Sequence, residues 1–89
     1  MNKNTAYKNL AKDGHKNIAL VEKEPNYFLD KHAHNFNVDI IIISGSLEIE
    51  LSQSSITLYP GSRFKLKKNE IHNERAGPEG VNFLTARPE

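Results

Sequence analysis

Three histidines carry the chemistry this sequence offers most directly. His32 and His34 stand two residues apart. In an extended strand, side chains at i and i+2 leave the same face, so both imidazoles would point one way. Two rings one strand repeat apart, about 6–7 Å at the backbone, can converge on a single ion through bonds of about 2.0–2.1 Å. A third ligand must then come from another strand, and His72 is the only other histidine in the strand-forming region. His15 sits at a helix–strand junction without such a partner. Taken alone, a His-x-His pair is a weak sign, because an exposed strand histidine needs no metal to explain it. The surrounding elements have to supply the rest.

Those elements are mostly short strands. Asn4 to Asp13 predicts the sole helix, capped by Asn4 or Thr5 and stopped by Asp13-Gly14, with Tyr7, Leu10 and Ala11 on one side. From Asn17 onward, strands are predicted at Ile18–Val21, Tyr27–His34, Val38–Ile43, Leu47–Leu51, Ile56–Tyr59, Arg63–Lys67, Ile71–His72 and Val81–Ala86. Pro25-Asn26, Ser44-Gly45-Ser46, Pro60-Gly61 and the run from Ala76 to Gly80 separate them. About eight short strands with turn signals every 8–12 residues indicate an all-β sandwich or barrel. Alternation buries Leu47, Ile49, Leu51, Phe64 and Leu66, and exposes Glu48, Glu50, Arg63 and Lys65. The basic residues Arg63, Lys65, Lys67 and Lys68 read as a solvated face that discourages edge pairing, with Glu48 and Glu50 as cross-sheet partners. Ile18–Val21 is apolar at four consecutive positions, which predicts burial on both faces, one of them against a partner.

Composition narrows the function classes. The chain has 89 residues, with 12 Lys and Arg against 11 Asp and Glu for a formal charge of +1. That length predicts one domain, and that balance lacks the basic excess of a duplex-binding surface. The longest apolar run is Ile40–Ile43, far short of the roughly 18 residues of a membrane span. Residues Met1 to Thr5 carry no apolar signal region, so a cytoplasmic setting is expected. Having no cysteine, the chain has no disulfide, thiolate zinc site or cysteine nucleophile. No Ser-His-Asp set and no Gly-rich phosphate loop is visible. A core this small gains from a metal or from association, so a homodimer is expected.

The neighbourhood of the histidines resembles the cupin superfamily. His32-x-His34 followed by a bulky apolar strand and Gly45 is similar to the first cupin motif, a His pair, a Glu and a Gly. Pro60-Gly61, a strand, Lys67-Lys68-Asn69 and His72 resemble the second. Gly61 and His72 fall in register, Lys67 replaces the usual Pro, and Asn69 replaces a Gly while still tolerating positive φ. The resemblance spans roughly residues 17 to 87. It implies an antiparallel jelly-roll β-barrel over 17–89, preceded by a helix and lead-in over 1–16. It also implies one divalent metal (Zn, Fe, Ni, Mn or Cu) held by His32, His34 and His72 at the barrel mouth.

The family's fourth ligand, a Glu, falls at Val38, which cannot bind metal. Asp39 is the nearest carboxylate, but strand parity turns it to the opposite face unless a bulge brings it back. Glu74 lies two residues past His72 and shares its inward face in a regular strand. Its carboxylate could approach the metal, act as acid or base, or simply meet water at the mouth. Asn37 and Asn73 are candidate partners for the ring N–H groups. Three neutral imidazoles with open positions suit a module that binds metal and a small molecule. The alternative is a metal-dependent enzyme of dioxygenase, isomerase or lyase type acting on a small substrate.

Overall fold

The computed structural model describes residues 1–87, so the last two positions of the expected 17–89 barrel lie outside the described residues. The elements are α1 (Lys3–Lys12), β1 (Asn17–Lys23), β2 (Phe28–His32), β3 (Val38–Glu50), β4 (Ser55–Leu58), β5 (Arg63–Leu66) and β6 (His72–Arg87). Among the described residues six strands stand where about eight are expected, because two glycine-bearing breaks are bends within continuous strands. Val38–Ile43 and Leu47–Leu51 fuse largely into β3, and Ile71–His72 and Val81–Ala86 into β6.

β3 and β6 pair along their lengths and form the spine of an antiparallel sheet. β1 and β2 flank β6, while β4 and β5 flank β3. No strand of one edge pairs with a strand of the other among the described residues, so the jelly-roll barrel is open.

The spine bends where its glycines meet. Gly45 and Gly80 have φ of 74° and 78°, a left-handed region that favours glycine. A Cβ on Gly45 would run into the Gly80 carbonyl, and one on Gly80 would sit 2.7 Å from the Lys23 carbonyl oxygen. Register shifts between Ile42 and Ser44 and between Gly45 and Leu47 accompany the bend. They change parity, so even-numbered Val38, Ile40 and Ile42 and odd-numbered Leu47 and Ile49 all reach one core. Leu58, Leu66, Ala76, Val81 and Phe83 complete that core.

The outer face of the bend carries α1. Ala6 and Leu10 pack on Ile41, Leu84 and Ala86, so the buried helical stripe is Ala6/Leu10 and not Tyr7/Leu10/Ala11. Tyr7 is exposed. Asn2, not Asn4 or Thr5, is the N-cap; its side chain accepts from the backbone N–H groups of Asn4 and Thr5.

Several surface expectations hold, and some need correction. Leu47, Ile49 and Leu66 are buried, while Glu48, Glu50 and Lys65 are exposed. Leu51 and Phe64 are only half-buried. β1 is an edge strand, and within the single chain Ala19 and Leu20 are exposed. Glu50 accepts from the Asn73 side chain and does not pair with the lysines. β5, which carries Arg63 and Lys65, borders the other half of β3.

Arg63 departs most from expectation. It is half-buried and donates through Nε and Nη2 to the two carboxylate oxygens of Asp39 at 2.9 and 2.7 Å. It also reaches Asp13 just beyond α1 at 2.7 Å. His15 lies 3.0 Å from Asp39 through Nε2. These four side chains fasten the segment after α1 to β3 and β5. Burial pushes the Asp39 carboxyl up, but hydrogen bonds and charge from Arg63 and His15 outweigh it and hold the group below its ordinary 3.8. The same contacts raise Arg63 above its ordinary value.

Asp39→Asn should therefore destabilise the fold by about 2–3 kcal/mol. That lies below the usual cost of about 3–5 kcal/mol for breaking a fully buried ion pair, because the Arg63 side chain is 28% exposed. A carboxyl depressed by folding stabilises above its unfolded value and loses that contribution as pH falls through its folded value. Urea unfolding of both proteins should show the difference intact at neutral pH and shrinking below about pH 3.8. A constant difference across that range would contradict the pairing.

Candidate metal centre

β2 pairs with the first part of β6 through a bulge. Leu29 pairs with Glu74 and His32 with His72, so three residue steps on β2 match two on β6. The extra residue turns His32 toward the core side that His72 occupies. β2 ends at His32, not at His34, so strand alternation does not align the His-x-His pair. His34 lies on the following loop, where its carbonyl accepts from the Asn69 backbone N–H at 2.6 Å. Its ring stacks on Phe36 at 5.3 Å. Asn69 has a φ of 65°, so the residue standing for a glycine takes the conformation a glycine would.

The three rings converge. Centroids lie 4.2 Å apart for His32 and His72, 5.0 Å for His32 and His34, and 5.5 Å for His34 and His72. One ring nitrogen from each falls within 4.8 Å of the others. His72 is 2% exposed, and the other two are half-buried.

Backbone carbonyls decide which nitrogens are available. Nδ1 of His32 lies 2.7 Å from the Asp30 carbonyl oxygen, and Nδ1 of His72 lies 2.9 Å from that of Glu70. A carbonyl only accepts, so each Nδ1 carries the proton and donates. In a neutral ring this leaves a lone pair on Nε2. Both Nε2 atoms are buried and have no hydrogen-bond partner. Leaving a buried acceptor unsatisfied costs about 1–3 kcal/mol, and a divalent ion would satisfy both at once. Burial, followed by the neighbouring His32, His72 and Arg87, lowers the pKa of His34, which favours the neutral form that coordinates metal. The donor set therefore fits a transition metal.

The remaining candidates separate cleanly. Glu74 stands beside the triad, with a carboxylate oxygen 3.6 Å from His32 Nε2. Two ligands of one tetrahedral ion with bonds of about 2.0–2.2 Å lie about 3.4 Å apart, so the spacing is compatible with a shared ion. Glu74 is not, however, within the common 4.8 Å group of the three imidazoles. Asp39 is on the opposite face, engaged with Arg63 and His15; no bulge turns it inward. Asn37 accepts from the Lys68 backbone, and Asn73 donates to Glu50, so neither orients a ring. The Asp30 and Glu70 carbonyls take that role, and nothing in side-chain identity announces them. His15, without a partner in the sequence reading, has one in Asp39. Behind the triad the barrel holds a cavity of about 370 Å³, lined by His34, Glu74, Phe36, Phe83, Arg87 and other residues.

An open jelly-roll barrel with three histidines at its mouth defines the class of this domain, and comparison with known proteins agrees on the fold. No family sequence model matches the chain, and no curated protein matches it by sequence. Solved structures do match. A cupin-2 domain containing protein from Shewanella frigidimarina aligns with a TM-score of 0.72 at 18% identity, over 93% of this chain and 92% of that one. A cupin superfamily protein from Desulfitobacterium hafniense gives 0.71 at 18%, over 79% of this chain. Only 63% of that protein is covered, so this chain spans less than two thirds of its length. The polyketide cyclase RemF from Streptomyces resistomycificus gives 0.66 at 26% identity, over 89% of this chain and 60% of that one. The chain has the fold of a cupin-type domain. No helix among the described residues is long and apolar enough to cross a membrane.

The carbonyl contacts fix a tautomer that nitrogen NMR can read. In metal-free protein above the histidine titration range, His32 and His72 should both carry the proton on Nδ1. A dominant Nε2–H form at either position would contradict the arrangement.

Proposed function

We propose that this domain binds one divalent transition metal (Zn, Fe, Ni, Mn or Cu) through His32, His34 and His72, and presents it to a small molecule in the barrel. The observation carrying this reading is the pair of buried Nε2 atoms of His32 and His72, both without a partner. Bound there, the metal would supply a Lewis acid with open coordination positions. The chain's own residues do the rest. The Asp30 and Glu70 carbonyls hold two rings by their Nδ1–H groups. The loop contact between Asn69 and His34 positions the third ring, and apolar barrel walls keep water from its inner side. A homodimer in a cytoplasmic setting belongs to the same reading, supported by the small core and the exposed apolar residues Leu20 and Phe28.

A second reading is a metal-dependent enzyme of dioxygenase, isomerase or lyase type, and Glu74 is the observation that favours it. Its side chain is 16% exposed and lies beside His32, within reach of a molecule entering the cavity, where it could hold or accept a proton. RemF, named as a cyclase, provides an example of an enzyme with this fold, although fold alone does not assign a reaction.

Metal binding is measurable directly. Zn at about 100 times its Kd should stabilise the wild type by about 2.7 kcal/mol, a rise of about 10 °C or more in Tm that chelation reverses. Binding should weaken as pH falls, since a protonated imidazole cannot coordinate. His72→Ala should abolish tight binding and the chelator effect. Glu74→Gln should alter affinity less than tenfold, whereas a larger loss would make Glu74 a fourth ligand. Wild-type protein that retains none of the five metals would refute the reading.

A further inference from the structure

The cavity behind the triad has a charge pattern that the histidines do not explain. Its lining includes two cations, Lys23 and Arg87, and a single carboxylate, Glu74. Neither cation has a carboxylate within ion-pair distance among the described residues. Each rests on an aromatic ring instead. The Lys23 ammonium lies 4.5 Å from the Tyr27 ring centre, and the Arg87 guanidinium lies 5.3 Å from that of Phe36. A cation held over a ring keeps most of its hydrogen-bonding capacity for another group.

Arg87 is the better placed of the two. It pairs with Asn17 at one end of the β1–β6 ladder, and Phe36 beneath it stacks on His34. Guanidinium, phenyl ring and imidazole therefore form a tier leading to the triad. The planar donor fork of arginine matches a carboxylate through two parallel hydrogen bonds. Beyond the tier the walls are apolar, with Val21, Ile40, Leu66 and Phe83 among them. A volume of about 370 Å³ lies at the small end of ligand cavities.

We infer that the cavity takes a small organic acid, with its carboxylate on the Arg87 guanidinium, its hydrocarbon body against the apolar walls and its far end toward the triad. This inference rests on the preceding reading only for what the far end meets. Arg87 is then the residue that selects anionic over neutral ligands. Glu74 opposes a second negative charge near the histidines, so a monocarboxylate is favoured over a dicarboxylate when the metal is absent.

Isothermal titration with hexanoate and its neutral counterpart hexanamide tests this, on Zn-loaded and on chelator-treated protein. Hexanoate should bind at least tenfold more tightly than hexanamide in both states. Arg87→Gln should remove most of that preference in both states. Arg75→Gln removes the same charge from an arginine that lies over Phe28 and outside the cavity lining, and should leave the preference intact. Equal binding of acid and amide would overturn the inference. So would hexanoate binding that needs Zn and ignores Arg87→Gln, since the metal would then hold the carboxylate itself. Failure of wild-type Zn binding with Arg87-dependent hexanoate binding retained would refute the metal reading and leave this one standing.

Discussion

The domain depends on the close approach of two backbones at Gly45 and Gly80. Neither position leaves room for a Cβ, and both hold a φ that other residues rarely adopt. Their contact lets β3 and β6 bend together as a paired ribbon, where two flat strands would leave the core half-covered. Bending brings two strand halves of opposite parity onto one apolar core. β2 pairs with the start of β6, where His32 stands opposite His72. The three histidines thus converge in a barrel shaped by van der Waals exclusion at the bend, eight residues along β6 from His72.

Much of this architecture was legible in the residues, and the failures have physical causes. The alternation of Leu47 to Glu50 located that strand and its buried face, and the motif positions of Gly45, Asn69 and His72 pointed to the barrel and the triad. Continuity of β3 and β6 was not legible, because glycine marks a turn and a bend with the same letter. The His32/His34 pair was identified for a reason that does not operate. Alternation predicted one shared strand face, whereas a bulge turns one ring and a loop contact places the other. Arg63 read as solvated because its strand alternates basic with apolar. Only the packing of α1 on the outer face makes that side partly interior, and a local pattern carries no trace of a distant helix.

The two faces of the sheet divide the polar work. On the inner face His32 and His72 keep lone pairs free because their protons are committed to the backbone. On the outer face Asp39 spends every strong interaction on Arg63 and His15, which ties the lead-in segment to the sheet. The adjacent residues Val38 and Asp39 therefore belong to different problems, one to the barrel lining and one to the clamp. A chain lacking the usual carboxylate at the site still carries a buried carboxylate one position away, but it serves stability.

The order in which the strands find partners has a consequence for how the site comes into being. β6 pairs with β1, β2 and β3, and it carries His72 of the triad, while His32 and His34 sit on and just beyond the strand that docks against it. Nearly all the pairings that matter are between residues far apart in the chain, which makes assembly of such a sheet slow relative to local structure. During synthesis β4 and β5 can pair with β3 as they emerge, but β1 and β2 have no strand partner until His72 and the residues after it have left the ribosome. A nascent chain can therefore present at most the His-x-His pair, a weak chelate. A metal held by all three histidines would therefore be taken up only after β6 has docked, from whatever ions the surroundings then offer.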